Sequence, residues 1–216
     1  MMAISKFDFS EFKEVIKTED QLRAIMGEAT TTVLNKSIDK LDNICTAFIA
    51  KSSFVIIASA NSQGELDVSP KGDPKGFVRV LDEKHIAIPE RPGNRRADTF
   101  RNLLDNPQVG LIFLVPGKGE TLRVNGRAKI VRDKSLRESM AINNQVPDFA
   151  TLIEIDEVFM HCPKCVVRSK IWEPEHWPGH AGIADIGEAV IAHAGLSIAP
   201  DQYEQLAIAE DRNKLY

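Results

Sequence analysis

The sequence predicts an α+β protein built on a small antiparallel β-barrel, and three observations support this fold class. Apolar strand-like runs follow one another from about residue 52 to residue 158. Short polar turns separate most of these runs, as in β-hairpins, and helices interrupt the series only at single points. A doubly wound parallel sheet would instead require strands and helices in regular alternation.

The first part of the chain, residues 1–50, is predicted to be an N-terminal helical segment. Thr18 and Gln21 form a capping-box pattern, which predicts a helix from about Thr18 to Glu28. Residues 38–51 also carry apolar side chains at helical spacing. We therefore expect helices to precede the first strand.

The middle part, residues 51–177, is predicted to be the barrel domain. It begins with a hairpin whose turn lies at residues 61–64. Further strands are expected at "HIAIPE", "QVGLIFLV" and "ETLRVNGRAKIV", and around residues 151–158. Helices are expected at about residues 97–105, where an Asn-Pro pair ends the helix, and at about residues 134–143.

The last part, residues 178–216, is rich in alanine, isoleucine and glycine with dispersed acidic residues. This pattern predicts two helices, near residues 182–194 and 200–213. Neither helix contains an obvious reactive constellation. We interpret the segment as a C-terminal helical appendage for packing or dimerisation.

Composition excludes several classes of protein. Hydrophobic residues make up 43% and charged residues 27%, and no apolar run approaches the ~20 residues that a membrane helix needs. The N-terminus is charged and lacks the apolar core of a signal peptide, so we expect a cytoplasmic protein. Three cysteines argue against a disulfide framework, and a net charge of -4 argues against a nucleic-acid partner.

Basic residues are nevertheless concentrated in one place, the basic turn at residues 90–97 and the helix after it. The four arginines there are Arg91, Arg95, Arg96 and Arg101. If Asn94 caps a helix that begins near Arg96, free backbone N–H groups and arginine side chains meet at one point, as in a phosphate site. The alternative is a solvated helix face on which the arginines pair with Glu90 and Asp98.

Several separated motifs occur in an order that resembles a known family. They are "VSPKGDP", "IPE", the basic turn with its helix ending in "NP", "GLIFLVP" and "ETLRVNGRAKI". Over about residues 50–172 the chain resembles the pyridoxamine-5'-phosphate-oxidase-like, FMN-binding split-barrel flavoproteins. "GNRRADT" and "RSKIWEPEHW" resemble an uncharacterised FMN-dependent branch of that family. The resemblance implies a split barrel that binds FMN non-covalently, as a homodimer with each FMN at the subunit interface.

The resemblance also implies a set of cofactor-binding residues. In the family a basic pair that opens the helix grips the FMN phosphate, and the matching positions are Asn94, Arg95 and Arg96, with Thr99 one turn further on. The flavin ring lies along a strand that matches Ser69, Pro70, Lys71 and Gly72, beside a segment that matches Ile88 and Pro89. A polar side chain early in a later strand reaches the cofactor, which indicates Thr121 and Arg123; barrel surface is their alternative role.

The closing helix and loop of the branch lie near the flavin, which indicates Lys164, Arg168, Ser169 and Trp172. The alternative for Trp172 is core packing. If Lys164 and Arg168 approach the ring, they would stabilise the anionic reduced flavin.

A zinc site competes for the same stretch. Cys162, Cys165, His176 and His180 follow a C-x2-C-x10-H-x3-H pattern, slightly short of a zinc finger. Pro178 would break the helix that the two histidines need, so we expect no metal and two half-buried structural thiols on a helix. A redox role for the cysteines is weaker still, because they do not follow a thioredoxin-like βαβ unit.

We therefore expect an FMN-dependent oxidoreductase that acts on a small molecule, with a nicotinamide nucleotide as a candidate electron donor. No catalytic residue is identified, because a flavin carries the redox chemistry itself. The His and Arg pair with which true oxidases hold the vitamin is missing, so pyridoxamine phosphate is not the expected substrate. The alternatives are a deazaflavin-dependent reductase on the same fold and a non-catalytic flavin-binding or flavin-sensing protein.

Overall fold

The structure is a computed structural model that describes residues 9–209 and 214–216. The chain divides into two compact units, residues 1–36 and 37–216. The boundaries predicted near residues 50 and 177 stay predictions. None of the described helices combines the length and apolar character that a membrane span requires.

The first unit contains a 3₁₀ turn at Phe9–Glu11 and two helices, α1 at Glu19–Met26 and α2 at Thr31–Leu34. Thr18 caps α1, because its hydroxyl accepts a hydrogen bond from the backbone N–H of Gln21 at 3.3 Å. The predicted first helix and its cap are thus confirmed.

The second unit is built on one seven-stranded sheet in which every paired neighbour is antiparallel. The strands are β1 at Phe54–Ala60, β2 at Leu66–Gly72, β3 at Arg79–Val80, β4 at His85–Pro89, β5 at Gln108–Leu114, β6 at Thr121–Val131 and β7 at Ala150–His161. Their order is β2-β1-β5-β6-β7-β4-β3, so β2 and β3 are the edge strands. The predicted antiparallel α+β fold is confirmed.

Six helices accompany the sheet in the described part of this unit. They are α3 at Asn43–Lys51, α4 at Asp98–Asp105, α5 at Lys134–Ser139, α6 at Lys164–Ser169, α7 at Ile186–His193 and α8 at Pro200–Ala209. The predicted helix at 134–143 ends earlier, and the predicted strand at 151–158 extends at both ends. The last four residues of the helix predicted at 200–213 lie outside the described residues.

The main core lies on one face of the sheet because side chains alternate along each strand, and a smaller buried cluster of Ala87, Met140 and Ala150 lies apart from it. On β5, for example, Val109, Leu111 and Phe113 are buried, whereas Ile112 between them is 39% exposed. The pairing of β6 with β7 shifts between Asn125 and Gly126, because β7 has one extra residue there, Asp156. Gly126 is required there, since a Cβ atom would overlap the carbonyl oxygen of Glu154 on the neighbouring strand.

Candidate functional site

A cleft of about 1050 Å³ lies between the edge strand β2 and the segment that follows β4. Its walls are β2 with residues 67–72, the end of β4 with the basic turn and the start of α4 at residues 89–100, and the loop at residues 145–149. Phe77, Lys214 and Tyr216 complete the lining. A cleft of this size accommodates a ligand as large as a nucleotide cofactor.

The β2 wall presents both side chains and free backbone. Asp67, Ser69 and Lys71 alternate with more exposed neighbours and are half-buried. β2 pairs with β1 along one side, and no described strand pairs with its other side. An edge of this kind carries unpaired N–H and C=O groups, which a planar polar ligand can use.

The basic turn corrects one prediction. Asn94 does not cap α4, which begins two residues later than expected, at Asp98. Ala97 takes the cap position with φ 58° and no side-chain hydrogen bond, and Arg95 is also left-handed with φ 61°. The side chain of Asn94 instead accepts a hydrogen bond from the backbone N–H of Arg96 at 3.0 Å, closing a local turn.

Two left-handed non-glycine residues within three positions mark a strained backbone. Each costs about 1 to 2 kcal/mol relative to the right-handed region, because Cβ crowds the next carbonyl oxygen. Strain of this kind is found most often at ligand clamps and active sites. The turn is therefore held in one shape at some cost in stability.

The arginines of the cluster have different roles. Arg91 is committed to the fold: its Nε donates to Asp73 at 2.6 Å and its guanidinium also donates to the carbonyl oxygen of Met140 at 2.9 Å. Arg96 donates to Asp98 at 2.7 Å while remaining 74% exposed, and that hydrogen bond raises the pKa of Arg96. Arg95 is exposed and has no ion-pair partner among residues 9–209 and 214–216. The solvated-face alternative thus holds in part, through the pair of Arg96 and Asp98.

Thr99 and Lys71 tie the walls of the cleft together. The hydroxyl of Thr99 is buried and donates to Asp67 at 2.6 Å, which joins α4 to β2. Lys71 lies 3.8 Å from the carboxylate of Glu90 and 5.5 Å from the ring centre of Phe100. Burial raises the pKa of Glu90, and the positive charge of Lys71 opposes that rise.

Tyr216 closes one end of the cleft. Its hydroxyl donates to Asp73 at 2.8 Å, and the guanidinium of Arg91 lies 5.5 Å from its ring centre. The hydrogen bond to Asp73 raises the pKa of the Tyr216 phenol, and burial adds to the rise. Sequence reasoning missed this contact, because the two residues are 143 positions apart and belong to no common motif.

The cleft brings together nine of the predicted cofactor-binding residues. These are Ser69, Pro70, Lys71, Gly72, Pro89, Asn94, Arg95, Arg96 and Thr99. Ile88 is only 3% exposed and packs in the sheet core. The two segments that the motifs indicated, 69–72 and 94–99, therefore meet at one place.

Six other predicted residues do not line the cleft of this chain: Thr121, Arg123, Lys164, Arg168, Ser169 and Trp172. Arg123 alternates with buried neighbours on β6, so it lies on the sheet face opposite the core, 5.3 Å from the ring centre of Phe159. Trp172 is half-buried, and its indole N–H donates to the carbonyl oxygen of Lys118 at 2.9 Å. A cofactor-binding role for these six stays a prediction.

The cysteine and histidine pattern forms no joint cluster. Within the described ranges, the potential metal ligands that come within 4.8 Å of one another in a group of three are Glu173, Glu175 and His176. Cys162 and Cys165 belong to no such group, and both are exposed, which corrects the expectation that they are half-buried.

Comparison with known proteins identifies a family whose model matches this chain. The family model for pyridoxamine 5'-phosphate oxidase matches residues 41–162. Among solved structures, HupZ of Group A Streptococcus is 18% identical with a TM-score of 0.45, covering 56% of this chain and 98% of its own. General Stress Protein 26 of Bacillus anthracis is 13% identical with a TM-score of 0.42, covering 53% and 88%. An FMN-binding protein of Syntrophomonas wolfei is 10% identical with a TM-score of 0.40, covering 53% and 86%.

No curated protein sequence is similar enough to count as a match. The match to the family model spans more than half of the chain and includes β1 to β7, the basic turn and α4. It confirms the resemblance seen in the sequence motifs. The protein belongs to the pyridoxamine 5'-phosphate oxidase family.

Proposed function

We propose that the cleft binds FMN and that the protein is an FMN-dependent oxidoreductase acting on a small molecule. One observation carries the proposal: the cleft unites β2, the strand expected to carry the ring, with the basic turn, the segment expected to carry the phosphate. Family membership gives both segments their expected role.

The basic turn fits a phosphate group. Arg95 has an exposed guanidinium with no ion-pair partner in the described part of the chain, and Arg96 can exchange its exposed bond to Asp98 for a phosphate oxygen. Backbone N–H groups in a turn with left-handed residues form a concavity that attracts anions. A dianion would thus offset the repulsion between the two neighbouring cations.

The β2 wall fits a flavin ring. Its free backbone edge offers donors and acceptors of the kind that the pyrimidine part of a flavin needs, and Ser69 and Lys71 add polar side chains. Pro70 and Pro89 add apolar surface. When bound, the flavin would supply hydride and electron transfer, while these residues bind and orient it.

A homodimer in the cytoplasm is part of the proposal. The sheet face opposite the core exposes apolar side chains, including Phe54, Val68 and Ile112, and carries Arg123 as well. A second copy on that face would cover this surface and could bring the six remaining predicted residues towards the cleft. All three cysteines are free, as is usual in a reducing compartment.

The charges of the cleft argue against a second phosphate in the substrate. Arg91 is neutralised by Asp73, and Lys71 lies beside Glu90. With Arg95 and Arg96 assigned to the cofactor, few cations remain for pyridoxamine phosphate. We therefore propose a substrate without a phosphate, reduced with electrons from a nicotinamide nucleotide.

FMN titration of the purified protein tests the proposal. Arg95→Ala is expected to weaken FMN binding by about tenfold to a hundredfold, since one charge-assisted phosphate contact is lost. Arg96→Ala should act in the same direction, and neither change should affect binding of riboflavin, which lacks the phosphate. Arg101→Ala is the matched control, because Arg101 is an exposed arginine on α4, directly after the basic turn, and does not line the cleft.

Equal FMN affinity in all three variants would refute the phosphate assignment. Tight binding of a deazaflavin together with failure to bind FMN would favour the deazaflavin-dependent reductase. Bound FMN that no nicotinamide nucleotide reduces would favour a flavin-binding or flavin-sensing protein.

A further inference from the structure

We propose that Cys162 and Cys165 are a vicinal dithiol that closes reversibly into a disulfide, so that the surface segment around α6 is a thiol–disulfide redox site. Neither cysteine lines the cleft of this chain, and the observations behind the proposal do not include the proposed cofactor. The proposal is based on the spacing of the two cysteines, the turn between them and the exposure of both residues.

The turn geometry brings the two cysteines to adjacent positions. Cys162 directly follows β7, Pro163 adopts helical angles of φ -76° and ψ -1°, and α6 begins at Lys164. The N–H of Val167 donates to the carbonyl oxygen of Pro163 at 2.9 Å, so the helical hydrogen bonding starts at this proline. Cys162 is the residue before this N-cap proline and Cys165 is the second residue of α6, so a single turn of the chain separates the two side chains. A disulfide between them needs Cβ atoms about 3.5 to 4.5 Å apart, and closure therefore requires an adjustment of this one turn only.

The fold holds this turn in place from both sides. Gly119, in the loop before β6, approaches Pro163 so closely that an added Cβ would lie 2.7 Å from the proline Cβ. The neighbouring residue Lys118 accepts the hydrogen bond from Trp172, which follows α6. Because the loop packs against both ends of the segment, the two thiols keep a fixed relation to each other. Such preorganisation favours the bond between them over bonds to external thiols.

Exposure and charge make the pair accessible to a small disulfide. Both thiols are exposed. Lys164 lies between them in sequence and Arg168 follows one helical turn later, so the segment attracts anionic disulfides such as oxidised glutathione. Cys45 is the internal contrast: it is 4% exposed in the core, and burial raises the pKa of its thiol to about 11.

The reaction is thiol–disulfide exchange with a low-molecular-weight disulfide as oxidant. The thiolate of one cysteine attacks one sulfur of the oxidant, whose S–S bond breaks to release a thiolate that takes up a proton. The thiolate of the second cysteine then attacks the protein sulfur of this mixed disulfide and expels the second small thiol. Two protein thiols are oxidised, one small disulfide is reduced to two thiols, and the reverse steps restore the dithiol. Exposed disulfides are the more easily reduced ones, which makes the site reversible.

In the test, the full chain is equilibrated in glutathione buffers that contain an increasing fraction of oxidised glutathione. Free thiols are then alkylated under native conditions, and the mass of the protein and of its peptides is measured. The parent is expected to lose both alkylatable thiols together, with a mass lower by two hydrogen atoms and one linked peptide joining Cys162 to Cys165. Cys162→Ser and Cys165→Ser should each instead gain one glutathione. Cys45→Ser is the matched control and should behave as the parent does, because the buried thiol takes no part.

Three results would overturn the proposal: stable glutathione adducts on the parent, covalent dimers, or thiols that stay free in fully oxidised buffer. A second measurement needs no variant. A trivalent monoarsenical such as phenylarsine oxide, which binds two adjacent thiols together, should protect both cysteines of the parent from alkylation at stoichiometric amounts. Absence of protection would equally contradict a vicinal dithiol. FMN titration of the Arg95→Ala and Arg96→Ala variants reports on the cleft of this chain, which neither cysteine lines, so the cofactor proposal is tested separately.

Discussion

In the sheet and in the basic turn, the backbone is held by different forces. Between β5 and β6 the pairing keeps a regular register, and most alternate side chains of both strands are buried against the main core. In the basic turn the residues are mostly exposed, two of them are left-handed, and side chains of Asn94 and Asp98 supply the local hydrogen bonds. The sheet is stable because burial of apolar surface sets its shape. The left-handed backbone conformation of the turn costs free energy, and residues in such conformations are common in segments that bind ligands.

The largest expected effect comes from the sheet. Phe113 is fully buried in the core cluster, so Phe113→Ala should lower the free energy of unfolding by about 3 to 5 kcal/mol through lost burial and a residual cavity. Chemical denaturation measures this loss. Ile112→Ala is the matched control on the next residue and the opposite face, where a cost of about 1 kcal/mol or less is expected. Equal costs would contradict the exposure of Ile112 and would indicate that this part of the outer face is covered in solution.

The same contrast explains which parts of the fold the sequence predicts. Long apolar runs predict β1, β5 and β6 correctly, because burial of apolar side chains determines where such strands lie. β3 was missed, since two residues at Arg79–Val80 are too few to show a period. The start of α4 was placed two residues early, because the left-handed conformation of Ala97 is imposed by the surrounding turn and leaves no mark in residue type.

The residues of the candidate site also fall into a predicted group and a missed group. The motifs found the phosphate turn and the β2 wall, because both are contiguous in sequence. They missed Asp67, Asp73 and Tyr216, whose contacts join distant positions and follow from packing. The residues predicted near α6 do not line the cleft of this chain.

The next largest expected change in stability tests the backbone strain in the basic turn. Ala97→Gly should raise the free energy of unfolding by about 0.5 to 1 kcal/mol, because glycine adopts φ 58° without a Cβ clash. The same substitution in the sheet, Ala128→Gly, should lower stability by a similar or larger amount, since Ala128 is 1% exposed in β6 and glycine weakens a strand. Thermal and chemical denaturation of both variants give the comparison. Destabilisation by both would mean that Ala97 is not left-handed in solution.

The smallest expected change in stability is at Glu90, the residue that follows β4 at the start of the basic turn. Burial raises the pKa of Glu90 in the folded protein, so the stability that this group contributes is complete in acid, below the pKa of the unfolded chain. That stability is lost as the pH rises through the higher folded pKa. Glu90→Gln removes the ionisation, so it should be nearly neutral in acid and should stabilise the protein at neutral pH by less than about 1 kcal/mol, because Lys71 offsets part of the burial cost.

Denaturation midpoints of the Glu90→Gln variant and the parent, compared between about pH 4 and pH 8, measure this difference. Glu120→Gln is a control of opposite sign. The hydrogen bond from Lys118 lowers the pKa of Glu120, so Glu120 contributes stability above its unfolded pKa that is lost as the pH falls. The control variant should therefore be the less stable one at neutral pH and should converge with the parent in acid. If Glu90→Gln behaves in the same way as the control, the attraction of Lys71 outweighs burial, and the Glu90 carboxylate belongs to a favourable ion pair on the cleft wall.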